Sequence, residues 1–286
     1  MWMAALLWLA ADAYAPMGAW RIHYTSVGSG ERVFVLVHGW NGSAGQWEAV
    51  AARLALQARV LSIDLPGHGL SGAPRVDYTM TMLADAVGAV LEHAPVWEAV
   101  LVGHSLSVPL VREVAHRFPA RVGGLVLVDG TFWDGTTEAG IRRAVAANEA
   151  YARSLSAAAS YSGVAAGTID TMFTAQTPGP LRRFLKDSLL AVPSHVAGST
   201  MIELARSRVW MLGPSRVPVV SVMADTKANR AMEPFVRRMF PLLRKVEYWV
   251  GAGHFLHLEQ PERFVRVLLE GWFRIVRPAE FIEELR

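Results

Sequence analysis

The chain of 286 residues contains no cysteine. This absence excludes a disulfide-stapled scaffold, a thiolate metal site and a cysteine nucleophile. It leaves the cellular compartment open, because cysteine-free proteins occur on both sides of a membrane. A chain of this length can bury an apolar core large enough to fold without disulfides or a structural metal.

Charged residues are few, and the basic ones are not clustered. Asp, Glu, Lys and Arg make up 19% of the chain, and the formal net charge is +3. Runs of Lys and Arg never exceed two residues, as at Arg142-Arg143 and Arg237-Arg238. Because nucleic-acid binding needs clustered positive charge, we expect no nucleic-acid partner.

Long apolar runs are also missing, so we expect no stable membrane insertion of the mature chain. The first eleven residues are uncharged and precede small-x-small sites that end at Ala13 and Ala15. We interpret residues 1–15 as a signal peptide or apolar leader, cleaved after Ala13 because Pro16 follows Ala15. Nothing basic precedes this run, so the alternative is a helix packed on the domain. Cleavage implies a periplasmic or secreted protein, and retention a cytoplasmic one.

Past Pro16, short apolar runs alternate with helical patterns, which predicts the α/β class with a mostly parallel, doubly wound sheet. The predicted strands are 22–27, 32–37, 59–63, 99–102, 122–128, 217–223 and 245–250. The predicted helices between them are 43–56, 79–92, 106–118, 232–240 and 262–276.

One stretch breaks the alternation. Residues 133–212 show helical patterns at 138–156, 181–191 and 194–208 and no convincing strand. The predicted core is therefore residues 16–132 and 213–286, with an inserted helical cap between them. An insertion at the carboxyl edge of a parallel sheet lies where ligands bind, so we interpret it as a lid over a site.

The segment Val100 to Ser107 places a serine between an apolar strand and a helix. Gly103 lies two residues before Ser105, as in the strand–nucleophile–helix turn of the Gly-x-Ser-x-Gly pattern. Ser107 replaces the second glycine and is small enough to be tolerated there. We predict Ser105 as a nucleophile.

A serine hydroxyl reacts only when a base removes its proton and an acid orients the base. His254 follows the last predicted strand on a glycine loop, and Asp225 follows the strand before it. The order Ser, Asp, His along the chain is the one expected for this turn. Trp40 follows the second predicted strand, and its backbone N–H with that of Leu106 is suited to bind an oxyanion.

Together these segments resemble the α/β-hydrolase superfamily, in its capped, esterase-like branch. The matching stretches are His38 to Trp40, Asp64 to Ser71, Gly103 to Ser107, Asp225, and Gly253 to Glu262. The resemblance implies Ser105 as nucleophile, His254 as base and then acid, Asp225 as the orienting acid, and Trp40 and Leu106 as oxyanion donors. It disfavours the haloalkane dehalogenases and epoxide hydrolases of this superfamily, which use an aspartate nucleophile.

Asp129 is the alternative acid. It ends the predicted strand 122–128, and some members of the superfamily carry their acid at that position. The sequence favours Asp225, and Asp129 then has the structural role of capping a strand end.

We expect no cofactor and no metal. Gly28-Ser-Gly30 lacks the third glycine and the following helix of a dinucleotide site, and His254 and His257 do not form a His-Glu-x-x-His motif. We interpret His68 as a residue that stabilises its turn. His38 and His104 are expected to hydrogen-bond backbone groups beside the site.

The expected partner is a small-molecule ester with an apolar or aromatic part. The candidate pocket residues are Trp40, Trp133 and Trp210, with Phe132, Met172, Phe173, Phe184 and Met211 also on the insertion or its junctions. The predicted reaction is ester hydrolysis through an acyl-enzyme. The alternatives on the same triad are lactonase, amidase, C–C hydrolase and perhydrolase chemistry. A non-enzymatic small-molecule receptor of the same fold is the alternative of another class, since such receptors can carry Gly-His-Ser-x-Ser.

Overall fold

In the computed structural model, residues 11–130, 138–156, 161–206 and 213–275 are described. Eight strands of these residues form one sheet in the order β1-β2-β4-β3-β5-β6-β7-β8. The strands are β1 Ala11–Met17, β2 Trp20–Val27, β3 Val33–Val37, β4 Arg59–Ile63, β5 Ala99–His104, β6 Val122–Val128, β7 Val219–Ala224 and β8 Leu243–Trp249. The pairs β1–β2 and β2–β4 are antiparallel, and all the others are parallel. The predicted mostly parallel sheet is confirmed.

The helices follow the predicted alternation. They are α1 Glu48–Leu54, α2 Met80–His93, α3 Ser107–Arg117, α4 Glu138–Ser156, α5 Tyr161–Asp170, α6 Gly179–Leu190, α7 Ser194–Ala205, α8 Lys227–Met239, α9 Leu256–Glu259 and α10 Pro261–Ile275, with a 3-10 turn at Ala44–Trp47. β1, α5 and α9 have no counterpart among the predicted elements. In the described part of the chain, no helix has both the length and the apolar character needed to cross a bilayer.

Alternation along β3 shows why the sheet is covered on both faces. Val33, Val35 and Val37 pack into the same cluster as the apolar residues of α2 and α3. Phe34 and Leu36 pack with α1 and α10 on the opposite face. Every residue of β3 is buried, as expected for a central strand of a parallel sheet with helices on both sides.

The helices α4 to α7 lie between β6 and β7 in the chain, as predicted for the insertion. Hydrogen bonds hold them against the loop after β3. The Asn41 amide donates to the hydroxyl of Tyr161 at 2.9 Å and to the carbonyl of Leu189 at 3.0 Å. The Trp40 indole donates to the carbonyl of Ala197 at 3.1 Å. The insertion is therefore attached to the carboxyl edge of the sheet.

The N-terminal strand β1 overlaps the segment that the sequence assigns to a leader. Residues 11–15 of that segment pair with β2, and Ala15 is buried. The buried His23 ring contacts Asp12 through Nε2 at 3.0 Å and Asp64 through Nδ1 at 2.7 Å. Pro16 is tolerated because β1 is an edge strand. Residues 1–10 of the predicted leader lie outside the described residues.

We predict export and cleavage after Ala13. The prediction rests on Ala11 and Ala13, the small residues that a signal peptidase recognises. Intact-mass measurement on protein recovered from its native host should give an N-terminus at Tyr14. Such cleavage would remove residues 11–13 from β1, and with them their pairing to β2 and the contact of Asp12 with the buried His23. A mature protein that retains Met1 would contradict the prediction.

Candidate active site

Ser105 lies in the sharp turn between β5 and α3. β5 ends at His104 and α3 begins at Ser107. The φ angle of Ser105 is +54°, in the left-handed region that residues with a side chain rarely adopt. Its N–H donates to the carbonyl of Val128 at 2.9 Å, which ties the turn to the end of β6. Such strain persists only where the surrounding structure enforces it, commonly at functional sites.

Gly103 and Ser107 let strand and helix come together. A Cβ at Gly103 would lie 2.6 Å from the carbonyl oxygen of Ser107, so this position requires glycine. Ser107 is fully buried, and its hydroxyl donates to the carbonyl of His38. The serine in place of the second glycine therefore adds a bond between α3 and the loop after β3, while the close approach at Gly103 is kept.

His254 lies on the loop after β8 and is held on three sides. Its Nδ1 is 2.6 Å from Oδ2 of Asp129. Its backbone N–H donates to the carbonyl of Met172 at 3.0 Å, and its carbonyl accepts from Nε2 of His104 at 2.9 Å. From these partners we assign the proton to Nδ1, which leaves a lone pair on Nε2 in the neutral ring. The neutral ring then has a free acceptor atom at Nε2, which a general base needs.

A second carboxylate fixes the same loop. Oε2 of Glu259 accepts from the N–H of Gly253 at 2.8 Å, and Oε1 accepts from the hydroxyl of Thr177 at 2.5 Å. Glu259 thus links the His254 loop to the segment between α5 and α6. The sequence shows Glu259 within a matching stretch but does not assign it this position.

Asp129 is the carboxylate that contacts His254. It follows β6 with φ +40°, and its N–H donates to the carbonyl of Val222 at 2.8 Å. Its Oδ1 accepts from the N–H of Ala224 and from the amide of Asn229, both at 2.9 Å. With His254 on Oδ2, three donors converge on one carboxylate. Asn229 is a site residue that the sequence does not predict.

The preference for Asp225 over Asp129 is therefore wrong. The Asp225 carboxylate accepts from Nε and Nη2 of Arg230 at 2.5 and 2.9 Å. These hydrogen bonds lower the pKa of Asp225, and the Arg230 guanidinium lies 4.4 Å from the ring centre of Tyr248. Asp129 follows β6 and Asp225 follows the neighbouring parallel strand β7. Arg230 on α8 binds the Asp225 carboxylate, which therefore is not paired with His254.

The two predicted oxyanion donors lie beside Ser105. No acceptor among the described residues takes a hydrogen bond from the backbone N–H of Trp40 or Leu106. Both residues are buried, and buried N–H groups without a partner are rare. Leu106 precedes α3, whose N-terminus adds partial positive charge. The position suits a developing negative charge.

One cavity of about 370 Å³ collects these groups. Ser105, Asp129 and His254 line it together with Trp40 and Leu106. The apolar part of the wall also includes Met172, Phe173, Met201, Leu204, Ala224 and Ala252. The polar part includes Asn148, Thr168, Thr171, Thr174, Thr226 and Asn229. Of the predicted pocket residues, Trp40 lines the cavity, whereas Trp133 and Trp210 lie outside the described residues, as do Phe132 and Met211.

Comparison with known sequences agrees with this geometry. A profile of the Alpha/beta hydrolase family matches residues 34–267. The matched stretch includes the Ser105 turn, the His254 loop and Asp129. The chain belongs to the alpha/beta hydrolase family.

Relatives of this hydrolase-family chain match over a limited length. It is 34% identical over 109 residues to an uncharacterised protein of Mycobacterium tuberculosis, covering 38% of this chain and 32% of that one. It is 36% identical over 107 residues to the pimeloyl-(acyl-carrier protein) methyl ester esterase of Edwardsiella ictaluri, covering 37% of this chain and 40% of that one. The chain thus spans about a third of the length of the curated relatives it matches.

A solved structure matches nearly the whole fold. A thermophilic esterase from Thermogutta terrifontis superposes with a TM-score of 0.77 at 22% sequence identity, covering 94% of this chain and 99% of that one. At this identity the likeness establishes a shared fold.

Buried histidine rings pack against His254 and against one another. The ring centre of His104 lies 4.6 Å from those of His254 and His257. Burial, and then the neighbouring His257 and His254, hold the pKa of His104 well below its usual range. Burial likewise lowers the pKa of His257 to about 3. Neither ring nitrogen of His257 has a partner among the described residues, and its ring lies 4.4 Å from that of Trp47.

His38 and His68 complete this set. His38 hydrogen-bonds backbone groups, as predicted for it and for His104, and His68 contacts the backbone of its own turn. His38 donates from Nδ1 to the carbonyl of Gly39 and accepts at Nε2 from the N–H of Leu65, at 2.8 and 3.0 Å. His68 lies 2.9 Å from the carbonyl of Pro66 in its own turn. Burial lowers the pKa of His38 to about 4 and that of His68 to about 3.

These lowered pKa values predict a loss of stability in acid. An unfolded histidine takes up a proton near pH 6.5, whereas the folded one stays neutral down to its lowered pKa. Each such histidine therefore makes its full contribution to the unfolding free energy above about pH 6.5. As the pH falls towards 3, the unfolding free energy decreases by about 1.4 kcal/mol per pH unit for each of them. His257→Phe should reduce this slope by that amount, as measured by urea unfolding at a series of pH values.

The matched control is His116→Gln, which changes an exposed histidine on α3 and should leave the slope as in wild type. His257→Leu serves as a second variant if phenylalanine does not fit. An unchanged slope in a folded His257 variant would contradict the assignment of a buried neutral ring.

Proposed function

We propose that this protein is a serine hydrolase that cleaves a neutral carboxylic ester through an acyl-enzyme. The observation that carries this proposal is the 2.6 Å contact between His254 Nδ1 and Asp129 Oδ2 in the cavity that holds the strained Ser105. Trp40 and Leu106 line the same cavity, and their backbone N–H groups have no acceptor among the described residues. The ester chemistry agrees with that of similar proteins, which include a methyl ester esterase.

Acylation begins when the Ser105 hydroxyl attacks the carbonyl carbon of the ester. His254 Nε2 accepts the serine proton, and the Asp129 carboxylate stabilises the imidazolium that forms. The carbonyl oxygen becomes an oxyanion, which the N–H groups of Trp40 and Leu106 bind. The bond to the alcohol oxygen then breaks, and the alcohol leaves with the proton from Nε2.

Deacylation repeats these steps with water in place of serine. His254 takes a proton from the water as it attacks the acyl carbon, and then returns a proton to the Ser105 oxygen. The carboxylic acid leaves, and the free serine is restored. Ser105 is not consumed, and no oxidant or reductant takes part.

The cavity wall supports a neutral substrate. Among the described lining residues, Asp129 and His254 are the ionisable ones, and they are paired with each other. A charged group on the substrate would find no counter-ion there, and burying it unpaired is costly. The apolar side chains of Trp40, Met201 and Leu204 favour an apolar part instead. We propose that α4 to α7 act as a cap, because α4, α5, α7 and the segment after α5 supply eight of the lining residues.

Lactonase, amidase, C–C hydrolase and perhydrolase chemistry would use the same groups, and a substrate panel separates them. A receptor without catalysis was suggested by the serine at 107. The hydrogen bond from Ser107 to the His38 carbonyl gives that serine a structural role, so it does not argue for a receptor. The contact between His254 and Asp129 favours the hydrolase.

Fluorophosphonate labelling tests the nucleophile. The probe should attach to Ser105, as shown by peptide mass spectrometry, and Ser105→Ala should abolish labelling and lower kcat by at least about a thousandfold. p-Nitrophenyl esters with acyl chains of increasing length should be hydrolysed until the acyl group exceeds the cavity. Matched lactones and amides in the same assay define the bond cleaved. A folded protein that neither labels nor turns over any substrate would refute the proposal.

The identity of the acid is tested with two isosteric variants. Asp129→Asn should lower kcat by about a thousandfold to ten-thousandfold, because an amide can no longer hold the His254 tautomer or stabilise the imidazolium. Asp225→Asn is the matched control on the neighbouring strand and should change kcat by less than about threefold, since it loses only a surface ion pair. The opposite ranking would restore Asp225 as the acid.

A further inference from the structure

Asn148 lines the cavity, and its amide nitrogen has no hydrogen-bond partner within the part of the chain that the structure describes. Asn148 lies on α4 and is 6% exposed. Its Nδ2 is buried and finds no acceptor among the described residues, although Asn148 lines the same cavity as Ser105. A buried amide N–H without an acceptor is destabilising, and folded proteins keep few of them.

Most of the neighbouring polar groups of the wall are paired within the protein, and Thr226 Oγ1 accepts from the N–H of Asn229 at 3.0 Å. The hydroxyls of Thr168, Thr171 and Thr174 each donate to a backbone carbonyl. The amide of Asn229 donates to Asp129. Asn148 therefore differs from these residues, because its buried amide nitrogen has no acceptor among the described residues. Rotation of the amide about its last side-chain bond would turn this donor towards a molecule in the cavity.

The scissile carbonyl does not need this donor. In the proposed reaction its oxygen is bound by the N–H groups of Trp40 and Leu106, so an acceptor for Asn148 must lie elsewhere on the substrate. The described lining holds no cation that would favour a carboxylate or phosphate at this place. A neutral amide in such surroundings suits a neutral oxygen.

We infer that Asn148 determines specificity by donating a hydrogen bond to a neutral oxygen acceptor of the ester substrate outside the scissile carbonyl. Ether, hydroxyl and second carbonyl oxygens belong to this class. The substrate is thus an ester that carries one such oxygen in a largely apolar frame. This inference rests on the proposed ester hydrolysis. A site built to hydrogen-bond a substrate oxygen rejects the analogue that lacks it, because the buried group is then left unpaired.

Two pairs of isosteric esters test the inference. On the acyl side, p-nitrophenyl methoxyacetate replaces one methylene of p-nitrophenyl butyrate with an ether oxygen. On the alcohol side, 2-methoxyethyl acetate replaces one methylene of butyl acetate with an ether oxygen. Hydrolysis of these two esters is monitored by pH-stat titration. For each pair, the ratio of kcat/KM for the ether ester to that for the alkyl ester is measured in wild type and in Asn148→Leu. Comparison across the two proteins removes the intrinsic reactivity of the esters.

For the side that Asn148 contacts, the ratio should fall about fivefold to tenfold in Asn148→Leu. The melting temperature should not fall, because the free protein loses no hydrogen bond. If leucine prevents folding, Asn148→Ala should give the same fall in the ratio.

Glu149→Leu is the matched control, since the Glu149 side chain on the same helix is 49% exposed. It should leave both ratios unchanged. If wild type hydrolyses the esters but both ratios stay within about twofold in the folded Asn148 variants, a water alone occupies the site and this inference is wrong. If wild type neither hydrolyses the esters nor reacts with fluorophosphonate, the proposed function itself fails.

Discussion

The site depends on one constraint, that parallel strands end at the same edge of the sheet. β3, β5, β6 and β8 each pass into a loop at this edge, and those loops carry Trp40, Ser105, Asp129 and His254. Side chains that are distant in sequence meet because the register of the parallel ladder fixes where each strand stops. Functional groups at this edge can change with little effect on the ladder beneath them.

The chemistry at this edge is decided by which groups remain unpaired. Asp129 and Asp225 follow neighbouring strands and differ little in sequence context. Arg230 takes the Asp225 carboxylate, whereas the Ala224 N–H holds Asp129 in place for His254. The backbone N–H groups of Trp40 and Leu106 likewise have no acceptor among the described residues, whereas neighbouring backbone groups are hydrogen-bonded. A group that the fold satisfies is structural, and one that it positions but leaves open is available for a reaction.

Much of the fold could be predicted because buried parallel strands are continuous apolar runs, and β4 and β6 match the predicted bounds. β1 was not predictable in this way. Its sequence mixes alanines with Asp12, Tyr14 and Pro16, as an edge strand allows, so it resembles a leader as much as a strand. The positions of Ser105 and His254 at the site follow from glycine-flanked motifs. Asn148 does not, because nothing within α4 marks the face that borders the cavity, and only tertiary packing places it there.

Three of the four described non-glycine residues with positive φ, Asn41, Ser105 and Asp129, lie at the edge that carries the site. Ser105 and Asp129 hold positive φ angles, and the Asn148 amide and the His257 ring lack partners among the described residues. Each reduces the stability of the fold. The burial of apolar side chains in the clusters on the two faces of the sheet offsets this loss of stability. Those clusters are formed by other residues. It follows that the site can be strained without loss of the fold, and that relieving its strain should stabilise the protein while impairing its chemistry.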